Sequence, residues 1–263
     1  MTELAPTAYP PFRQSSIKTW RHCPEQARLE FFGLVPDFVT DSAAVGTGTH
    51  SAIQAYIEGA TLPNAIAMGR EVLAQELAHP NFKPHRWARG SDAPYGWIEK
   101  FMVAFERSNF ANLLRLSYQM GGLKLEVKVE MQVVTPAGRL VTLQGTIDVL
   151  DAYGMRIVDW KTGSSFHLDR RTDPQPSMYT LLASSLLEKD LSRFTWVFLK
   201  NGDFEVIDST RFAPQHHALL FEIDSICDLI DLDLPRWPLN PGGWWCSELW
   251  CQNYSSCIGK FYD

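Results

Sequence analysis

The chain has 263 residues, of which 45% are hydrophobic and 21% are charged, and this composition is typical of a globular protein. No apolar run approaches the roughly 20 residues that a membrane-spanning helix needs. The segment from Met1 to Pro11 lacks the basic and apolar regions of a signal peptide, so we expect a cytoplasmic protein without a membrane segment. The net charge of −6 disfavours an extended nucleic-acid surface, since phosphate contacts favour Lys and Arg, and any DNA contact is therefore expected in a local groove.

The first 120 residues have the periodicity of helices. Ser15 or Ser16 is placed to cap a helix that runs to about Phe32. A second helix is predicted to open at Gly46-Thr-Gly-Thr-His50. Two further helical stretches, 63–78 and 94–118, are predicted on either side of a loop over 80–89 that contains Pro and His.

The period changes to two after residue 120, where apolar and polar residues alternate from 123 to 133 as in a half-buried strand. Turn residues at 136–138 and 152–154 predict two further strands, 139–151 and 155–161. A helix over 174–188, a hairpin of strands 195–200 and 204–207 around Asn201-Gly202, and a helix over 214–230 follow. The sequence thus predicts a single α/β domain with a mainly helical part (15–120), an α/β core (121–230) and a Cys-rich tail (231–263).

Two carboxylates and an ammonium fall close together across the predicted turn at 152–154. Asp148 ends the motif Gly145-Thr-Ile-Asp148, and Asp159 begins the motif Asp159-Trp-Lys161 on the next antiparallel strand. Two neighbouring carboxylates repel each other unless a cation lies between them, and Mg²⁺ or Mn²⁺ suits such an oxygen site. Lys161, on the same strand face as Asp159, would position or deprotonate an attacking water. The alternative is that the three residues flank a turn and form ion pairs.

Other polar residues are weaker candidates for the same site. His50 would be a ligand or a structural hydrogen-bonding residue in the first turn of its helix. Glu130 lies on the polar face of the first strand, with Glu126 as its rival for a role in the site. Gln175 and Tyr179 are spaced i, i+4 and therefore face one way from their helix, where they would bind a phosphate, brace Lys161 or lie exposed.

Five cysteines, an odd number, do not predict a disulfide framework in a cytoplasmic chain. Cys246, Cys251 and Cys257 lie close together near the end of the chain, and Cys23 lies near its start. Cys227 falls in an apolar helical pattern, which predicts a core position.

In this set of residues the chain resembles the RecB-like branch of the PD-(D/E)XK nuclease superfamily, which includes CRISPR-adaptation exonucleases, AddB-type helicase-nucleases and phage exonucleases. The resemblance covers residues 15 to 257 and rests on the order and spacing of short motifs. These are Cys23-Pro24, Gly46-x-x-x-His50, Glu130, Gly145-x-Ile-Asp148, Asp159-Trp-Lys161-Thr-Gly163, Gln175-x-x-x-Tyr179 and the three terminal cysteines.

The resemblance implies a restriction-endonuclease-like α/β core, with a mixed β-sheet flanked by helices and a helical N-terminal part. It implies that His50, Asp148, Asp159 and the backbone carbonyl of Trp160 hold Mg²⁺ or Mn²⁺. Lys161 would be the catalytic lysine, and Gln175 and Tyr179 would bind DNA or orient the site. Relatives often have Glu in place of Asp159, and either carboxylate serves.

The resemblance also implies a [4Fe-4S] cluster, because relatives that bind one have a cysteine before the core and three after it. Cys23, Cys246, Cys251 and Cys257 match that layout, and Trp244, Trp245 and Trp250 would shield the cluster. Thiolates suit iron-sulfur clusters. The spacing Cys-x4-Cys-x5-Cys fits zinc less well, since zinc sites more often contain tight cysteine pairs. Free buried cysteines are the remaining alternative.

The resemblance implies a metal-dependent DNA nuclease. Within that class it favours an exonuclease that acts on single-stranded DNA or duplex ends, in phage-type recombination, repair or CRISPR spacer processing. The sequence contains no Gly-x4-Gly-Lys-Thr phosphate loop, so the protein works alone or with a partner, such as a helicase, a recombinase or a CRISPR-adaptation protein. The alternatives are a non-catalytic DNA-binding or assembly module on the same fold, and an unrelated metal-binding protein.

Overall fold

The computed structural model describes residues 8–34, 39–83, 93–162, 171–200, 203–243, 245–247, 251, 253–254 and 257. The predictions made for the Asn201-Gly202 turn, for Gly163, for Trp244 and Trp250 and for most of the loop over 80–89 lie outside these residues. None of the helices among the described residues is long and apolar enough to cross a membrane.

The helix predicted to run from Ser15 to Phe32 is in fact two helices, α1 (Gln14–His22) and α2 (Pro24–Phe31). Cys23 between them has an extended backbone, with φ of −154°. A proline disfavours helical backbone at the residue before it and is favoured at the first position of a helix, so Pro24 ends α1 and begins α2. The prediction of one continuous helix was therefore wrong.

Four more helices form the rest of the N-terminal half, after the short strand β1 (Val39–Thr40). They are α3 (Asp41–Glu58), α4 (Leu62–Leu77), α5 (Ala93–Glu106) and α6 (Asn109–Gln119), and a second short strand, β2 (Phe82–Lys83), pairs with β1. The predicted start of the second helix at Gly46 was wrong. The hydroxyl of Thr40 accepts a hydrogen bond from the backbone N–H of Ala43 and caps α3 one turn earlier, so His50 lies in the third turn.

The second half of the chain forms a five-stranded mixed sheet, in the order β3 (Leu123–Val134), β4 (Leu140–Asp151), β5 (Arg156–Lys161), β6 (Arg193–Lys200) and β7 (Asp203–Thr210). Strands β5 and β6 are parallel, and the other neighbours are antiparallel. Helix α7 (Pro174–Leu187) connects β5 to β6, and α8 (Ala213–Asp231) follows β7. The predicted fold class, a mixed sheet flanked by helices, is confirmed.

Each face of the sheet packs against its own hydrophobic core. One core contains residues of α7 and α8 together with Ile17 of α1, and it also contains Cys227, as predicted. The other core contains residues of α3, α5 and α6. The sheet is thus the middle layer between two sets of helices, and its edge strands are β3 and β7.

Part-way along β3 and β4, the alternation of side chains between the two faces of the sheet is reversed; we call this the exchange of faces. Leu125 packs into the core on the α3 side, whereas Val127 packs into the core on the α7 side. In a regular strand two residues separated by one position share a face. Glu126 between them has φ of +48°, a left-handed backbone that reverses the alternation. The same exchange occurs in β4 between Ile147 and Val149, on either side of Asp148.

Helix α3 lies so close to α4 that it has room only for glycine at the crossing. A Cβ atom on Gly48 would lie 2.7 Å from the backbone oxygen of Gly69 and 2.9 Å from Cδ1 of Ile98. We expect Gly48→Ala to lower the free energy of unfolding by about 1–3 kcal/mol, because the two helices must move apart. The measurement is chemical denaturation. Gly96→Ala in α5 is the matched control, since a Cβ there meets no atom within 4 Å. It should raise stability by about 0.5–1 kcal/mol through helix propensity.

Candidate metal centre

Asp148 and Asp159 lie where β4 and β5 begin to separate. The two strands pair only over residues 149–151 and 156–158, and the two aspartates come next in that register. The backbone N–H of Trp160 donates a hydrogen bond to Oδ2 of Asp148 at 2.9 Å. Asp148 is 8% exposed and Asp159 is 3% exposed. The structure therefore brings the two carboxylates together on neighbouring strands, at a point where the gap between the strands leaves space for other groups.

His50 reaches this point from α3, on the opposite side of the sheet from α7. Its Nε2 lies 3.2 Å from the carbonyl oxygen of Trp160, and its Nδ1 lies 3.5 Å from Oδ2 of Asp148. When Nε2 carries the proton and donates to the carbonyl, the lone pair of Nδ1 faces the carboxylate. A proton or a metal cation between these two atoms stabilises that arrangement.

Glu126 completes a group of three possible metal ligands. Donor atoms of His50, Glu126 and Asp148 all lie within 4.8 Å of one another, the one such group found among the described residues. Glu126 lies on β3 opposite Asp148 on the neighbouring strand β4, and its backbone at that point is left-handed. Glu130, which the sequence puts forward for the site with Glu126 as its rival, lies further along β3 and does not join the group; both glutamates are exposed. Asp159 also lies outside this group.

The electrostatics of the group favour a bound cation. Burial, and then the charge of Asp159, raise the pKa of Asp148 well above its ordinary value. Burial and the charge of Asp148 raise the pKa of Glu126. Burial lowers the pKa of His50, so its imidazole is neutral and has a lone pair to offer. One neutral nitrogen and two carboxylates that repel each other form a donor set that fits Mg²⁺ or Mn²⁺.

Asp159 is held by two side chains on the α7 side of the sheet. Its Oδ2 lies 2.6 Å from Nζ of Lys161, and its Oδ1 accepts a hydrogen bond of 2.6 Å from Nε2 of Gln175. Burial alone would lower the pKa of Lys161, but the carboxylates of Asp159 and Asp148 outweigh burial and raise it. Lys161 is therefore an ammonium ion, which can orient and stabilise negative charge. The sequence left open whether it would deprotonate water, and the raised pKa disfavours that role.

Tyr179 packs over β4 next to the carboxylates. A Cβ on Gly145 would lie 2.7 Å from Cε1 of the Tyr179 ring, so only glycine leaves room for the ring at that position. Burial, followed by the charges of Asp159 and Asp148, raises the pKa of the Tyr179 phenol, which therefore stays protonated and can donate a hydrogen bond. Gln175 and Tyr179 thus face the site together from α7, as their i, i+4 spacing predicts.

A large groove begins beside this site. It has a volume of about 1180 Å³ and runs between the first turn of α1, the edge of β3 and β4, and the second half of α7. Thr146 and Lys128 in its wall are each two residues from the ligand group, which is about 7 Å along a strand. The other charged residues that line it are Arg13, Glu130 and Glu188. Typical small-molecule pockets have about 300–1,000 Å³, so this groove suits a longer ligand.

The four cysteines at the two ends of the chain line one cavity. Cys23, Cys246, Cys251 and Cys257 share its wall with apolar groups that include Leu29, Leu239 and Trp245. Burial raises the pKa of Cys251, and the three other cysteines raise it further. The structure therefore brings together residues separated by more than 220 positions in the sequence, where spacing alone predicts only the cluster of three.

Comparison with known proteins gives the following result. A sequence profile described as the PD-(D/E)XK nuclease superfamily matches residues 11–257, a range that includes every site residue from Cys23 to Cys257. No curated protein matches the chain. A solved structure described as "Crystal structure of SSO0001" is similar at 12% sequence identity, with a TM-score of 0.41, and the alignment covers 94% of this chain and 96% of that one.

Two glutamates on one strand allow a matched test of the ligand group. We expect Glu126→Gln to weaken Mn²⁺ binding at least tenfold, because it removes a charged oxygen donor from the group. Glu130→Gln should change the affinity less than twofold, since Glu130 lies outside the group. Isothermal titration calorimetry of the two variants and the wild type measures both effects. Equal losses in the two variants, or a loss confined to Glu130→Gln, would contradict the assignment of Glu126.

Proposed function

The chain belongs to the PD-(D/E)XK nuclease superfamily, and from that premise we propose that it hydrolyses DNA as an Mg²⁺- or Mn²⁺-dependent exonuclease acting on single-stranded DNA or duplex ends. The observation that carries the proposal is the contact between two sets of residues. The ligand group of His50, Glu126 and Asp148 lies directly beside the ion pair of Asp159 and Lys161. A metal ion and a fixed positive charge next to it both stabilise the charge that develops during phosphodiester hydrolysis.

His50, Glu126 and Asp148 would hold the metal, and the carbonyl of Trp160 and the carboxylate of Asp159 lie at the edge of the same site. When bound, the metal would supply a Lewis acid that polarises the phosphate and lowers the pKa of a coordinated water. The neutral imidazole of His50 and the buried carboxylates fix the geometry without any large rearrangement, since their positions are set by α3 and the sheet.

Lys161, Gln175 and Tyr179 have separate tasks in this proposal. The ammonium of Lys161, held by Asp159 at 2.6 Å, would orient the attacking water and offset charge that develops on the phosphate. Gln175 fixes the other oxygen of Asp159, so that this carboxylate cannot turn away from Lys161. The protonated phenol of Tyr179 would donate a hydrogen bond to a phosphate oxygen of the substrate.

The groove beside the site supports a polymeric substrate. Its walls carry Arg13 and Lys128, which can contact phosphates, together with the amides and hydroxyls of Gln14, Gln144, Ser15 and Ser185, which can contact bases and sugars. A groove whose wall has polar groups and two cations suits one extended nucleic-acid strand. We therefore propose that the strand to be cut lies along α7 and β4 and that its phosphate enters the metal centre past Thr146.

We propose that Cys23, Cys246, Cys251 and Cys257 hold a [4Fe-4S] cluster. They are four thiol donors around one apolar cavity, which is the ligand type and the shielding that such clusters need. The spacing Cys-x4-Cys-x5-Cys has no tight cysteine pair of the kind that zinc sites more often contain, which favours the cluster over zinc.

The cysteine site also bears on location and partners. Five cysteines, an odd number, do not suit a disulfide framework of the kind found in oxidising compartments, and we propose the cytoplasm. A partner motor or recombination protein would supply DNA ends, in recombination, repair or CRISPR spacer processing. The same fold without catalysis, a DNA-binding module, is disfavoured because Lys161 and Asp159 are both present and form an ion pair.

The nuclease proposal predicts that Lys161→Met abolishes cleavage and leaves DNA binding intact. Methionine keeps the aliphatic stem and removes the charge that the site needs. End-labelled single-stranded and double-stranded DNA, with and without Mn²⁺, measures cleavage, and a binding assay without metal measures affinity. We expect a loss of at least 10²-fold in rate, comparable to the loss of one charge-stabilising group in other enzymes. Lys100→Met on α5 is the matched control and should cut DNA at the wild-type rate, since Lys100 is exposed and lies outside the groove. If the wild type and Lys161→Met are equally inactive on every DNA tested, the result favours the non-catalytic DNA-binding module.

The cluster proposal predicts that protein purified without oxygen is brown and contains about four iron atoms per chain. Cys251→Ser should lose iron and colour and unfold at a lower temperature, because the link between the two ends of the chain is lost. Cys227→Ala should keep its iron, since burial raises the pKa of Cys227 to about 12 and its thiol lies in the core. Metal analysis and thermal unfolding measure these effects. One zinc per chain, or a colourless metal-free protein, would contradict the proposal.

A further inference from the structure

We propose that Lys18 and Arg21 on α1 are positioning residues for the reaction, which act by fixing the first turn of α7. Their consequence for catalysis rests on the proposed nuclease function, whereas their effect on α7 can be measured without it. The sequence shows them only as basic residues on the exposed side of a helix. The structure places both at the start of the helix that carries Gln175.

Arg21 joins three parts of the chain. Its Nη1 donates a hydrogen bond of 2.5 Å to the backbone oxygen of Thr172, two residues before α7. Its Nε and Nη2 donate to the two carboxylate oxygens of Glu222 on α8, at 2.5 and 2.6 Å. A guanidinium held at both prongs of its fork has little freedom to rotate. The backbone before α7 is therefore fixed relative to both α1 and α8.

Lys18 acts on the next residue along the chain. Its Nζ lies 3.0 Å from Oδ2 of Asp173, whose other oxygen accepts a hydrogen bond of 2.8 Å from the backbone N–H of Gln175. Asp173 is the N-cap of α7, so one carboxylate both caps the helix and pairs with Lys18. The direction in which α7 starts is thus determined by α1.

Gln175 connects the first turn of α7 to the metal centre. It is 1% exposed, and its Nε2 donates to Oδ1 of Asp159, the carboxylate that also holds Lys161. Gln175 is in the first turn of α7, directly above the contacts of Arg21 and Lys18. A shift of that turn by a fraction of an ångström would lengthen the bond to Asp159 and release Lys161 from its orientation.

The far end of α1 is held by the tail that carries three of the cysteines. The ring of His22 stacks on that of Trp245 with centroids 5.0 Å apart, and Nδ2 of Asn240 donates to the backbone oxygen of His22 at 2.9 Å. Helix α1 is therefore fixed at its C-terminal end by the wall of the cysteine cavity and along its side by α7. This makes it a rigid support for the first turn of α7.

The structural test is hydrogen–deuterium exchange in the first turn of α7. Arg21→Met should raise the exchange rate of the backbone amides of Gln175, Ser177, Met178 and Tyr179 at least about fivefold, since local opening there becomes easier. Arg70→Met is the matched control, because Arg70 forms a single exposed ion pair with Glu99 on other helices. It should leave exchange in α7 unchanged. Unchanged exchange in Arg21→Met would overturn the proposal, whether or not the protein is a nuclease.

The functional test is a double-mutant cycle with Gln175. With a small chromogenic phosphodiester, which does not fill the groove, Arg21→Met should lower kcat about tenfold and change KM less than twofold. In a Gln175→Ala background the same change should have no further effect, because the route to Asp159 is already broken. Equal losses in both backgrounds would overturn the route through Gln175. If the wild type is inactive on every phosphodiester but exchange is faster in Arg21→Met, the proposed nuclease function is overturned. The same result would support the part of the proposal that Arg21 fixes the first turn of α7.

Discussion

The approach of Asp148 to Asp159 at the divergence of β4 and β5 is the constraint that the rest of the site depends on. Two buried carboxylates on adjacent strands repel each other, and burial makes this worse because each charge has lost much of its water. Some neighbouring groups reduce that cost, whereas the carboxylate of Glu126 adds to it. Lys161 and Gln175 neutralise and fix Asp159, whereas the contacts of Asp148 among the described residues are a backbone N–H and a neutral histidine. The uncompensated charge therefore lies on the side of Asp148 and Glu126, which is where a cation is needed.

The left-handed backbone of Glu126 bears both on the packing of the β3–β4 hairpin and on the geometry of the candidate site. A non-glycine residue in this conformation costs about 1–2 kcal/mol, and within a strand it also interrupts pairing. The exchange of faces at Glu126 and Asp148 lets the β3–β4 hairpin pack on the α3 side at one end and on the α7 side at the other. The site forms at the exchange, where His50 from one helical layer reaches Asp148 and Gln175 from the other reaches Asp159. The cores on both faces stabilise the strand against this local strain.

The sequence predicts the parts of this architecture that are encoded locally. The alternation of β3, the turns after β3 and β4, and the spacing of Gln175 and Tyr179 depend on near neighbours, and the structure has them. The break at Cys23 could also have been predicted, because Pro24 disfavours helical backbone at the residue before it. The role of Glu126 could not be predicted, since apolar residues stand at every second position from Leu123 to Val133 and the exchange of faces leaves no trace in that pattern. Nor does any pattern show that Lys18 and Arg21 would meet Asp173 and Thr172, because those contacts cross 150 residues or more of chain.

The distribution of charge has a consequence for how DNA would be held. Many of the cations that the chain has are already paired with its own carboxylates: Arg21 with Glu222, Lys161 with Asp159, and Arg139 with three aspartates of α8. The groove itself has two cations and two glutamates in its wall. Such a surface would release few counterions on binding DNA, so we expect its affinity for a free duplex to be weak and to depend little on salt. Under the proposed function, selection of substrate would then fall to the metal centre and the groove, which suits the proposal of an end or a single strand delivered by another protein.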